Sequence, residues 1–301
     1  MKKLFLFTSA IAMAGFISSC GNSNDGQDGS NGTDTTGTGD STSMNTTMPE
    51  ESQEYISIPS PDEMFSFMKD IGTAGKSTNF LNNPENVKNY LDSKSKALNF
   101  GIYATDFLYC STFDFGSDAL KYFMSVKKLG DDLGISNIIS QSIADRIKVN
   151  IGKNDSLTDI SNTLYFSSVA ELEKSAKAPQ LSLLIAGGWI ESMYLVTNMA
   201  KYKANDPAID RIAEQKYTLD NLIGYLDKYK SDANVASVQA QMNELKGVYD
   251  QLKEESTSGT VSAKGGKKVL GGGTKITITE AQYKAISEKV KSIHDSFTSG
   301  K

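Results

Sequence analysis

The run LSLLIAGGWIESMYLVTNMA, residues 181–200, constrains the fold of this chain more than any other stretch. It is the most apolar segment outside the N-terminus and holds the only tryptophan, Trp189. Pro179 stands just before it, where an early-turn proline is tolerated, and no proline interrupts it. Leu181, Leu184, Ile185, Trp189, Met193 and Val196 occupy nearly every face of a helix, so the segment predicts a helix packed on several sides. Ala178, Ser182 and Ala186 recur every fourth residue and leave a flat stripe for a close neighbour. Gly187 and Gly188 each cost about 1 kcal/mol relative to alanine inside a helix, which implies close backbone contact or a kink in compensation. Glu191 and Asn198 inside the run, together with an export signal, argue for a core helix rather than a membrane span.

That export signal occupies the first residues. Lys2 and Lys3 form a basic start, Leu4 to Phe16 an apolar stretch, and Ile17-Ser18-Ser19-Cys20 a cleavage region. The last four resemble the lipobox of bacterial lipoproteins. The resemblance implies a signal peptide over residues 1–19, cleavage before Cys20, and acylation of its thiol and new amine (palmitate among the chains), with several acyl chains giving stable anchoring. Gly21 rather than aspartate follows the cysteine, so the same resemblance favours the outer membrane, at its periplasmic face or the cell surface.

Residues 20–55 hold almost no large apolar side chain and predict a flexible tether, with a coil span of roughly 30–35 Å. Asp25 and Asp28 stand near the lipid position, a weak echo of a surface-export signal. Losing Lys2 and Lys3 with the signal takes the net charge from −5 to −7. That balance, without a basic run, speaks against nucleic acid as a partner. With Cys20 acylated, Cys110 is the one remaining cysteine, so neither an intramolecular disulfide nor a thiolate metal cluster is expected, and its default is a buried inert thiol.

Residues 56–301 predict an all-α domain: a helical bundle of about eight or nine helices with one small β-hairpin near the C-terminus. The helices read as 62–71, 84–112, 117–133, 137–149, 156–174, 178–203, 207–229, 235–254 and 280–297, with Asn83 and Thr279 as caps. Val235, Val238, Met242, Leu245, Tyr249 and Leu252 keep heptad spacing, as do Tyr283, Ile286, Val290, Ile293 and Phe297. Between these two helices, Ile276 and Ile278 alternate in a strand pattern with which Val261 and Val269 could pair, as a projecting hairpin.

Familiar catalytic signatures are missing. The chain's single histidine, His294, rules out histidine clusters, and beside Asp295 in an amphipathic helix it reads as a surface residue. Gly271-Gly272-Gly273-Thr274-Lys275 has glycines and a lysine but leads into a strand rather than a helix, so it is not a phosphate loop. Lys264, Lys267 and Lys268 make a local positive tip. The informative pair is Asp106, among Tyr103, Phe107 and Tyr109, and Glu191, beside Trp189 and Tyr194. Both lie in strongly apolar helices, and Ala97, Gly101 and Thr105 give the first helix its own small stripe, so the two helices could pack face to face. Carboxylates so placed need hydrogen-bond partners or raised pKa values, and the tyrosines could donate. Either the two are structural or they form a ligand site of Asp106, Glu191, Tyr103, Trp189 and Tyr194.

The segments KALNFGIYATDFLY and LLIAGGWIESMYL are similar to segments of a family of uncharacterised bacterial envelope lipoproteins, which implies a helical fold and an envelope address but no activity. The helical body also resembles imelysin-like envelope proteins in outline, although their GxHxxE motif is absent, His294 being followed by Asp295 and Ser296. The expected function is a non-enzymatic binding or interaction module with an envelope protein or small molecule as partner and no cofactor. The alternative is a small-molecule-binding protein or hydrolase-type enzyme built on the carboxylate and aromatic pocket.

Overall fold

A computed structural model describes residues 75–136, 139–257, 261–264, 267–270 and 273–300, with residues 66, 68, 69, 71 and 72 before them. The signal region, Cys20, the tether and most of the expected helix at 62–71 lie outside the described residues. A 3₁₀ helix, Pro84–Asn89, precedes eight α-helices: α1 Ser93–Thr112, α2 Gly116–Leu133, α3 Gln141–Asn150, α4 Asn154–Lys174, α5 Ala178–Met199, α6 Pro207–Asp227, α7 Ala233–Tyr249 and α8 Glu280–Thr298. Between α7 and α8 stand four short strands, β1 Lys253–Thr257, β2 Val261–Lys264, β3 Lys267–Leu270 and β4 Gly273–Thr277. The molecule is therefore an all-α bundle with a small hairpin.

The bundle is organised on α1 and α5, which make its largest interface. A Cβ on Gly101 would overlap the backbone carbonyl of Leu184, and one on Gly187 would overlap that of Leu98. The helix axes approach so closely that side chains are excluded from the crossing, and Thr105 donates its hydroxyl hydrogen across it to the Gly188 carbonyl at 3.2 Å. On α1 Gly101 and Thr105 of the small stripe are at the crossing, and on α5 Leu184, Gly187 and Gly188 meet them and Leu98. Of the sixteen buried positions from Leu181 to Met199, thirteen are apolar or glycine, and α5 is a core helix. No helix among the described residues is long and apolar enough to cross a membrane.

Around this pair α2 and α4 cover α1, while α7 and α8 close the other side and touch α5. Both heptad seams face inward: Val235, Val238, Met242, Leu245 and Tyr249 are buried, and so are Ile286, Val290, Ile293 and Phe297. A capping box at Thr279 and Gln282 starts α8.

Three local readings are corrected. The expected helix 84–112 is broken at Tyr90, because Asp92 caps a new start by accepting from the Ser95 N–H at 2.9 Å. The helix expected to reach Glu254 ends at Tyr249, and Lys253–Thr257 becomes the strand that pairs with Gly273–Thr277. Ile276 lies on that strand and is buried in the core, so the root of the hairpin is part of the body. Val261 and Val269 belong to the inner pair, with Val261 opposite Leu270 and Ser262 opposite Val269.

The glycine crossing gives a direct test. Gly101→Ala or Gly187→Ala forces backbone apart and should destabilise the protein by about 3 kcal/mol or more. Gly247→Ala, in α7 with nothing within 4 Å of the new methyl, should stabilise it by about 0.5–1 kcal/mol. Urea unfolding of the three variants measures both.

Candidate functional site

Asp106 on α1, Glu191 on α5 and His294 on α8 meet in the core, with 0 %, 0 % and 5 % of their surfaces exposed. Each is brought there by its neighbours along the helix. Tyr103, Asp106 and Cys110 recur at helical spacing on α1, and Gly188 and Glu191 do so on α5 just beyond the glycine crossing. His294 follows Ile293 in the α8 seam and shares the buried face with Val290 and Phe297.

The His294 Nε2 lies 2.8 Å from the Glu191 Oε2. That contact is close but not aligned along the ring N–H, and no donor among the described residues is aligned on either carboxyl group. The Asp106 and Glu191 carboxyls are near enough for each to perturb the other's ionisation. The Tyr194 ring stacks on the imidazole at 3.9 Å and 8°. On the outer side the imidazole Nδ1 is 3.5 Å from the exposed Asp295 carboxylate, which pairs with Lys291 at 2.6 Å.

Burial sets the protonation of this group. Loss of hydration, then the nearby Glu191 charge, raises Asp106 well above the carboxylate range, with His294 and the Asn82 backbone N–H pulling the other way. Glu191 is pushed up to about 8, chiefly by burial, with the neighbouring Asp106 carboxyl working in the opposite direction. His294 is lowered, again first by burial, against the attraction of Asp106 and Asp295. The charged forms are penalised at all three positions, so the pair of carboxyls holds protons that it would lose in water.

Of the residues expected to form a site, the structure gathers Asp106, Glu191 and Tyr194, the last through His294. Tyr103 is near Asp106 but donates its hydroxyl hydrogen to the Asn83 carbonyl at 2.9 Å. Trp189 points elsewhere, its Nε1 donating to Gln215 at 3.4 Å. The tyrosines that could have donated to the carboxyls are engaged with backbone: Tyr109 with Ser77 at 3.1 Å and Tyr90 with Thr298 at 3.3 Å. His294 is buried, contrary to the surface position expected for it. The available signal was its place beside the Ile293 seam position, four residues after Val290.

A polar spine runs next to the group. The buried Asn99 amide donates to the Ser95 carbonyl at 2.9 Å and to the Phe297 carbonyl at 2.8 Å, and its Oδ1 accepts from Asn82 at 3.3 Å. With Tyr90 on Thr298, it satisfies carbonyls at the end of α8 that the helix cannot pair itself. Among the described residues no group of three or more His, Cys, Asp or Glu side chains is disposed to hold a metal ion.

A second feature lies on another side of α1. Phe100, Ala104, Phe107 and Leu108 of α1, Val126 of α2, and Leu164 and Tyr165 of α4 line an apolar cleft of about 50 Å³, floored by Gly101, Thr105 and Gly188. No charged residue among the described residues lines it. Two of its hydroxyls, those of Thr105 and Ser168, are spent on the backbone carbonyls of Gly188 and Leu164.

No protein-family model, curated protein or solved structure matches this chain.

His294→Ala should remove the ring stacked on Tyr194, leave Glu191 facing a void, and lower stability by about 2–3 kcal/mol in urea unfolding. The Cys110 thiol, fully buried and with its pKa raised chiefly by burial, should stay unreactive toward a thiol reagent in the native chain and react only on unfolding. Rapid modification under native conditions would contradict this packing.

Proposed function

We propose that this chain is a lipid-anchored bacterial envelope protein, held at the outer membrane by an acylated Cys20, whose helical body is a non-enzymatic binding module. The observation that carries the binding role is the apolar cleft between α1, α2, α4 and α5. Its uncharged walls and the engaged hydroxyls of Thr105 and Ser168 suit a slender apolar group on a small molecule or envelope partner. The address is supported by Lys2, Lys3, the apolar stretch after them and the residues before Cys20.

The second reading, a small-molecule or hydrolase-type site at Asp106 and Glu191, draws on the absence of aligned donors at those carboxyls. Against it stands their complete burial, since a group that catalyses must come within reach of what it transforms.

Two measurements test the proposal. Cys20→Ala should move the protein out of the outer-membrane fraction or leave its precursor uncut; a processed, membrane-bound variant would remove the lipid anchor from the proposal. For the cleft, a fluorescent apolar dye should bind the wild-type chain, and Ala104→Phe should weaken that binding at least tenfold, about 1.4 kcal/mol, with the fold retained. Unchanged dye binding by a folded Ala104→Phe variant would locate binding elsewhere.

A further inference from the structure

We propose that Asp106, Glu191 and His294 form a proton-binding centre that couples the seating of α8 on α1 and α5 to the pH of the surroundings. The geometry is that of a site rather than of an incidental ion pair. Three separate helices each deliver one titratable side chain to the same part of the core, and all three are buried. One contact is an imidazole nitrogen 2.8 Å from a carboxylate oxygen, held in place by a parallel tyrosine ring. The third group is the neighbouring Asp106 carboxyl, as fully buried as Glu191, and two carboxyls buried side by side disfavour double ionisation, so the pair keeps a proton.

Among the described residues the surroundings give no alternative source of charge balance. Facing the centre from α1 are Tyr103, Tyr109 and Cys110, from α2 Tyr122, and from the segment before α1 Tyr90, all acids held protonated by burial. From α5 comes Tyr194, and from α8 Lys291 and Asp295, which pair with each other at the surface. A proton is therefore the counterion of the buried pair. His294 closes the centre on its side toward solvent; the exposed Asp295 carboxylate, 3.5 Å from the imidazole, is held below the usual carboxylate range and so stays ionised, folded or unfolded, across this pH window.

The sign follows from which state binds more protons. A carboxyl raised in the folded chain keeps a proton that the unfolded chain has released, so its support for folding is complete at acid pH. That support is lost as pH climbs through the folded value, about 8 for Glu191. His294, lowered in the folded chain, acts oppositely: its support is present above the ordinary imidazole range and is lost as pH falls through its folded value. Stability should thus be greatest on the acid side of neutrality and decline toward alkaline pH. Each proton held only by the folded chain raises the unfolding constant about tenfold per pH unit, or about 1.4 kcal/mol.

The experiment is urea unfolding of the full chain from pH 5 to pH 9, with Glu191→Gln, Asp106→Asn and Asp295→Asn beside wild type. Wild type should lose stability by at least about tenfold per pH unit between pH 6 and pH 8. Glu191→Gln should flatten that limb and exceed wild type at pH 9, Asp106→Asn should reduce it, and Asp295→Asn should leave it intact. Because His294 is the only histidine, its imidazole resonances in the wild-type chain give a second readout that needs no variant to fold. They should shift once below the ordinary imidazole range and again on the alkaline side, as the carboxyl pair ionises. Hydrogen exchange of the α8 amides should accelerate over the same alkaline interval. A wild-type stability flat from pH 6 to pH 9, a slope removed by Asp295→Asn instead of Glu191→Gln, or one ordinary imidazole titration with no alkaline step would each overturn the centre.

Discussion

The approach of α1 to α5 is the constraint on which the rest of this molecule depends. Two helices come this close only where side chains are absent, and Gly101, Gly187 and the small Thr105–Gly188 contact supply that absence. The cost of glycine in a helix interior is offset by backbone surfaces packed directly on one another and by dispersion over a long interface. Once the axes are fixed, the positions just past the crossing have nowhere to go but inward. Asp106 and Glu191 are at those positions, and their mutual contact follows from the glycines rather than from attraction between acids.

Burying two acids with one imidazole is expensive, and the surrounding residues show how the expense is contained. The tyrosines nearby spend their hydroxyls on backbone carbonyls, keeping the polar groups of the 3₁₀ segment and the end of α8 satisfied. The acids are left to each other and to His294, an arrangement that tolerates a neutral or singly ionised pair but not two free charges. The apolar cleft lies on the other flank of α1, so the helix separates a titratable face from an apolar one.

Much of this was legible from residue patterns. The all-round apolar character of α5, the small stripe of α1 and the inward seams of α7 and α8 are consequences of burial, which leaves its record in side-chain type. The prominence of Asp106 and Glu191 came from the same contrast. The features that escaped leave no such record. The break at Tyr90 involves neither glycine nor proline and turns on the capping carboxylate of Asp92. The strand Lys253–Thr257 is polar throughout and is held by backbone bonds to β4, which no side-chain period announces. His294 sits one residue off a heptad seam, and a narrow seam is widened only by knowing that α8 touches α1 as well as α5 and α7. Trp189 and Glu191 are close in sequence, yet residues two apart on a helix face opposite sides.

The seat of α8 also sets an order of events. Asn99 and Phe297 are joined across 198 residues of chain, and Glu191 meets His294 only when the final helix has arrived. During synthesis from the N-terminus, α1 and α5 are made long before the element that covers their acids and accepts from Asn99. Until that element is present, the crossing leaves unpaired polar groups toward an open face, and closing the core is unfavourable. The core around Asn99 and Glu191 is thus complete only once α8 has been made and seated.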